Sequence, residues 1–167
     1  MAKRLTLVRH AKSSWNDPSA ADIDRALNNR GVRDAPMMGR RLLERGARPS
    51  LILTSTAKRA RKTARLVAKQ LGYPVEFIQG EAELYLASPD TIVDVVAQQD
   101  DGFNDLMLFG HNPGITDLSN RLTGAGIDNV PTCGIVAIDA TVDTWAELNP
   151  DTCELAFFDY PKNTTAI

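Results

Sequence analysis

The chain predicts an α/β fold, a mostly parallel central sheet with helices on both faces. Three observations carry that expectation. Short apolar runs alternate with helix-period segments along the 167 residues, the pattern of strands joined by crossover helices. The runs are continuous rather than alternating, as in strands buried on both faces. Finally, the chain has only two histidines, and each closes an apolar run. Arg4-Leu5-Thr6-Leu7-Val8 leads into Arg9-His10, and Leu106-Met107-Leu108-Phe109 into Gly110-His111. Both imidazoles are then expected at the carboxyl edge of the sheet, where open α/β sheets bind ligands.

Strands are expected at Arg4–Val8, Leu51–Thr54, Val75–Ile78, Leu106–Phe109, Gly134–Ala140 and Glu154–Phe158. The first helix is expected over Arg30–Arg45, capped by Asn28-Asn29, with Pro36 kinking it or delaying its start. Thr56 is placed to cap the second. There Ala57, Ala60, Ala64, Val67, Ala68 and Leu71 form one apolar stripe, Arg61, Lys62, Arg65 and Lys69 face outward, and Gly72 ends the helix. Ser88-Pro89 opens a third helix that runs through Gln99, and Asn112-Pro113 opens a fourth, with proline in the first turn. The loop from Ala11 to Ala26 is long for a compact domain, which marks it as functional.

No repeat, low-complexity tract or linker interrupts the pattern, and 43% hydrophobic content over this length supports a single domain spanning 1–167. A formal net charge of −2 argues against a nucleic-acid partner, which calls for a basic excess or a basic face. Met1-Ala2-Lys3-Arg4 runs straight into a strand without a signal-peptide core, and no stretch is long enough to span a bilayer. A cytoplasmic location and no membrane partner are expected. Cys133 and Cys153 read as small hydrophobes without chemistry.

Three elements converge on an anion. Arg9-His10 ends the first strand, Arg59 lies in the first turn after the second, and His111 precedes the helix start Asn112-Pro113-Gly114. Two guanidiniums, two imidazoles and helix N-termini suit a tetrahedral dianion such as phosphate. Singly, each has a plainer reading: a polar strand edge, one cation among several on a solvated helix, a capping histidine. Their joint placement at strand-to-helix junctions favours the functional one.

The stretch Arg9-His10-Ala11-Lys12-Ser13-Ser14-Trp15-Asn16 resembles the R-H-G-x-S-x-x-N signature of the histidine phosphatase (phosphoglycerate mutase-like) superfamily, with Ala11 in place of the usual glycine. The further resemblance is to its SixA-type phosphohistidine phosphatase branch. It rests on Asp24-Arg25-Ala26-Leu27 with Gly31, Thr54-Ser55 with Arg59-Ala60 and Thr63-Ala64, Glu83-Leu84-Tyr85, and Gly110-His111-Asn112-Pro113-Gly114. The matching motifs run from about residue 3 to residue 124; the C-terminal third adds strands but no motif.

The resemblance implies a phosphoglycerate mutase-like fold and a phosphatase in which His10 is the nucleophile and forms a covalent phosphohistidine. Arg9, Arg59 and His111 hold the equatorial oxygens, and Ser13, Asn16 and Asn112 are expected to contact the substrate. Neighbouring cations favour the neutral, nucleophilic form of His10. Glu83 is similar in position to the superfamily's general acid, with Glu81 and Asp17 as alternatives. Asp24-Arg25 is expected to pin the active-site loop by an ion pair. No carboxylate cluster with metal-ligand spacing adjoins these motifs, so no metal and no cofactor are expected. A chain of this length leaves little for a lid, and an open site, with Trp15 as an apolar rim, suits a phosphorylated protein side chain (phosphohistidine). A small-molecule phosphomonoesterase and a non-catalytic phosphate-binding module are the alternatives.

Overall fold

The computed structural model describes residues 2–163. Its six strands are β1 (Ala2–Arg9), β2 (Leu51–Ser55), β3 (Gln79–Glu81), β4 (Asp105–Gly110), β5 (Ile135–Thr141) and β6 (Cys153–Asp159), and its four α-helices are α1 (Asn29–Glu44), α2 (Lys58–Leu71), α3 (Pro89–Ala97) and α4 (Gly114–Thr123). The strands form one sheet in the order β3-β2-β4-β1-β5-β6. Pairings β3–β2, β2–β4 and β4–β1 are parallel, while β1–β5 and β5–β6 are antiparallel. The sheet is thus mostly parallel, as expected, with an antiparallel flank supplied by the C-terminal third.

Strand residues alternate between two apolar layers. Leu5, Leu7, Leu51, Leu53, Leu106 and Leu108 pack with α3, α4 and Trp145 on one face. Val8, Ile52, Met107 and Phe109 pack with α1 and α2 on the other. Both faces are covered, so the continuous apolar runs have their physical reason. Among the described residues no helix is long and apolar enough to cross a membrane.

Three local expectations are corrected. Val75–Phe77 is a 3-10 turn and not a strand, with the edge strand starting only at Gln79. Pro74 opens that turn with φ −60°, and the Phe77 N–H donates to the Pro74 carbonyl at 3.0 Å. Val75 and Ile78 still pack against the α1/α2 layer, so a short apolar run reported burial without reporting the backbone. Pro36 does not delay α1, which starts at Asn29 with the Asn28 side chain accepting from the Gly31 N–H. Burial of Ala35, Met38 and Leu42 outweighs the roughly 3 kcal/mol that an interior proline costs. Thr56 does not cap α2; its N-cap is Ala57, and the Ser55 hydroxyl accepts the Ala57 N–H at 3.2 Å.

Gly31 sits where α1 meets the loop after β1. A Cβ there would lie 2.3 Å from the Lys12 carbonyl oxygen, so only glycine permits the contact. That close approach holds the chain just beyond His10 against the helix.

Candidate active site

The parallel register explains why the two histidines meet. Arg9 pairs with Gly110 across β1 and β4, and the His10 N–H donates to the Gly110 carbonyl at 3.0 Å. The next residue of each strand is a histidine, and the ring centroids lie 5.2 Å apart. On the other side of β4, Thr54 pairs with Phe109, so Ser55 comes level with the end of that strand. The Ser55 hydroxyl lies 2.8 Å from His111 Nε2.

Arg59 reaches this edge from the first turn of α2 and is 3% exposed. Its Nε lies 3.4 Å from His10 Nε2, and its Nη2 lies 3.4 Å from His111 Nδ1. A guanidinium only donates, which assigns both facing imidazole nitrogens as lone-pair bearing. His10 Nδ1 is 2.8 Å from the Ala11 carbonyl, which only accepts, so Nδ1 carries the proton. By the same reasoning His111 Nε2 donates to Ser55. Each ring has one proton and is neutral.

The electrostatics agree. Burial, chiefly, lowers the pKa of His10 to about 3; the Ala11 carbonyl opposes it, and His111, Arg59 and Arg9, in that order, add smaller lowering effects. Burial and then Arg59 lower that of His111 to about 4. Arg9 also has a lowered pKa, first from burial and then from Arg59. Its Nη1 donates to the Val130 carbonyl at 3.1 Å. Its Nε is buried and has no hydrogen-bond partner among the described residues, a state that costs about 1–3 kcal/mol and that an anion would relieve.

The structure therefore brings Arg9, His10, Arg59 and His111 together. Glu83 is exposed in the short 3-10 turn Ala82–Leu84, two residues before Tyr85, whose ring meets His111 edge-on at 5.5 Å. Glu81 is half-buried at the end of β3. Asp17 is exposed, with its carboxylate turned back onto the Ser19 N–H at 3.0 Å. Ser13 is buried and its hydroxyl accepts from Arg25, while Asn16 is exposed. The Asn112 amide is engaged within the fold. It donates to the Val130 carbonyl at 2.9 Å and accepts from the Thr116 N–H and hydroxyl.

Two contributors escaped the sequence reading. The first is Asp22, which pairs with both arginines of its neighbourhood. Arg59 Nη1 donates to its carbonyl at 2.7 Å and Nη2 to its carboxylate at 3.0 Å, Arg25 donates to it at 3.0 Å, and the Tyr85 hydroxyl donates to it as well. The loop's ion pair is thus Asp22–Arg25, not Asp24–Arg25, because a 3-10 turn over Asp22–Asp24 places residues three apart together. The Asp-Ile-Asp-Arg order was the available signal. The second is the 130–133 turn, whose Cys133 N–H donates to the carbonyls of Arg9 and His10. Backbone donors carry no sequence signal. Both cysteines are free, Cys133 buried and Cys153 half-buried, and burial raises both thiol pKa values.

Among the described residues no three His, Cys, Asp or Glu side chains are grouped to hold a metal ion. What the cluster can do is receive a tetrahedral anion on fixed donors beside a neutral imidazole.

Residues 5–106 match the family model of the histidine phosphatase superfamily (branch 1). An uncharacterized Mycobacterium leprae protein is 32% identical over 167 residues, covering 93% of this chain and all of the relative. Among solved structures, a candidate phosphohistidine phosphatase SixA of Nakamurella multipartitia superposes with TM-score 0.82 at 26% identity over 98% of both chains. The corresponding Agrobacterium tumefaciens protein gives 0.80 at 30% identity, over 95% of this chain and 98% of that one. The chain belongs to the histidine phosphatase superfamily, branch 1, and within it to the SixA-type group.

Proposed function

We propose that this phosphatase removes the phosphoryl group from a phosphohistidine side chain of a protein, through a covalent phosphohistidine on His10 and without a metal. The observation that carries the reading is the state of His10. Its Nδ1 proton is engaged with the Ala11 carbonyl, and its Nε2 lone pair faces the guanidinium of Arg59. A nucleophile must be unprotonated at the attacking atom, and this ring meets that condition at neutral pH.

Attack by Nε2 forms the new N–P bond as the bond to the leaving group breaks. Arg59 and His111 hold the equatorial oxygens, and the unpartnered Nε of Arg9 supplies a further donor. The dianion raises the pKa of His111, so that ring gains a proton and donates two hydrogen bonds instead of one. In the intermediate the His10 ring keeps its Nδ1 proton and is cationic, which makes it a good leaving group for the second step. Water then attacks phosphorus, and its proton leaves with phosphate to solvent.

The exposed loop beside the nucleophile supports a protein substrate. The loop from Ala11 to Asn28 is the segment beside the nucleophile, and Trp15 on it is 73% exposed, with the Arg25 guanidinium 3.5 Å from its ring centroid. An aromatic held in that way can present a flat apolar rim. A substrate panel tests the reading: kcat/KM for a phosphohistidine peptide is expected to exceed that for sugar phosphates, nucleotides and aryl phosphates. A preference for one small phosphomonoester over the peptide would replace it.

A further inference from the structure

Asp22 lies at the site and has no role in the chemistry described so far. One guanidinium links it to the nucleophile. The Nε edge of Arg59 faces His10 Nε2 at 3.4 Å, and its two terminal nitrogens bond to the Asp22 carbonyl at 2.7 Å and carboxylate at 3.0 Å. A phosphoryl group lying along that guanidinium has the nucleophile at one end and the Asp22 carboxylate toward the other. Exposure runs the same way: His10 is 8% exposed at the floor, while the Asp22 side chain is 45% exposed at the rim. In-line displacement expels the leaving group away from the nucleophile, hence toward that rim.

The carboxylate there is anionic. The Tyr85 hydroxyl first, and Arg59 and Arg25 in addition, hold its pKa down to about 2 despite partial burial. It is therefore no proton donor at neutral pH. Oδ2 is occupied by Tyr85 and Arg59, but among the described residues Oδ1 accepts only from Arg25 and retains capacity for another donor.

We infer that Asp22 is a specificity-determining residue, one that favours phosphoryl groups leaving from a protonated nitrogen base over those leaving as an oxyanion. This rests on the phosphohistidine reading above and names the group that enforces it. A phosphorylated imidazole with a proton on its second nitrogen enters as a cationic ring, and that N–H can donate to Asp22 Oδ1. When His10 Nε2 bonds to phosphorus, the electron pair of the old P–N bond returns to the ring nitrogen. Neutral imidazole departs, still holding its N–H, and no proton has to move. In a phosphate ester the pair goes to oxygen, and negative charge grows beside a fixed carboxylate, which opposes it. One charge thus helps the nitrogen leaving group and hinders the oxygen one.

The test compares kcat/KM for a phosphohistidine peptide, for phosphoramidate and for an aryl phosphate, in the wild-type chain and in Asp22→Asn. Asparagine keeps an acceptor for Arg59 and the backbone carbonyl. The ratio of either N-phosphoryl substrate to the aryl ester is expected to fall at least about tenfold, the scale of one charge-assisted hydrogen bond. Vanadate binding and the thermal midpoint report whether the variant is folded, and Asp22→Ser is a second uncharged variant held to the same criterion. Parallel losses on all three substrates would mean that Asp22 only orients Arg59, and would overturn the inference. If the wild type prefers the peptide and Asp22→Asn retains that preference, the inference falls and the phosphohistidine reading stands. If the wild type ignores the peptide, yet Asp22→Asn loses a preference for phosphoramidate, the inference stands and that reading falls.

Discussion

The Nδ1 of His10 lies 2.8 Å from the carbonyl oxygen of the very next residue, Ala11. That contact fixes which nitrogen is free, because a carbonyl can only accept. Ala11 is itself fully buried and its N–H donates to the Thr63 hydroxyl at 3.0 Å, so the acceptor is held from α2. Backbone geometry therefore selects which nitrogen of His10 bears the free lone pair.

His10→Ala is expected to abolish hydrolysis and to leave the thermal midpoint near that of the wild type, since the ring fills the pocket and not either apolar layer. Wild-type enzyme quenched during turnover should carry acid-labile phosphate on His10. Near-full activity in the alanine variant would remove the nucleophile assignment.

Arg59 and Arg61 separate the pocket from the outer face of α2. Arg59 is buried against both histidines, while Arg61 is exposed and donates to the Thr56 carbonyl. Arg59→Ala is expected to lower kcat/KM by about 2–4 kcal/mol of transition-state stabilisation. Arg61→Ala should change an aryl phosphate assay by less than about threefold, as for an exposed charge. Equal effects would contradict the pocket.

The histidine pKa values of about 3 and about 4 lie below the ordinary value near 6.5. Neither ring should titrate between pH 8 and 5 in the free enzyme, which imidazole NMR shifts would report. The unfolded chain takes up those protons below pH 6.5 and the folded one does not, so stability is fully present above 6.5 and falls toward pH 4. The slope approaches about 1.4 kcal/mol per pH unit for each histidine. A titration midpoint near 6.5 in the folded protein would refute this.

Activity is expected to persist in excess EDTA, with vanadate a competitive inhibitor because it mimics the five-coordinate transition state. Loss on chelation that one divalent ion restores would point to metal-assisted hydrolysis instead.

Glu83 is exposed in the turn before Tyr85, and as a proton donor it would serve only leaving groups that need a proton. Glu83→Gln is expected to slow alkyl phosphates more than aryl phosphates and to spare the phosphohistidine peptide. A uniform small loss on every ester would mark it as a surface residue and pass the test to Asp17 or Glu81.

The sheet, its helices and the four-residue cluster were legible in the chain because they rest on local patterns. Apolar runs ending in Arg9-His10 and Gly110-His111 state where strands stop, and the alanine stripe of α2 states which face is buried. Burial preference and strand period are properties of contiguous residues, so a sequence carries them directly. Val75–Ile78 misled for the same reason, since its apolar character reports packing while Pro74 sets the backbone. Tertiary structure alone decided the rest. It placed Asp22 on Arg59 across 37 residues of chain and put Tyr85 on the same carboxylate across 63. It directed the Asn112 amide to the Val130 carbonyl and set the Cys133 N–H on the carbonyls of Arg9 and His10. Those contacts depend on loop paths and backbone carbonyls. A carbonyl is the same at every position, and a loop's course is set by the elements it joins, so neither leaves a mark on residue type.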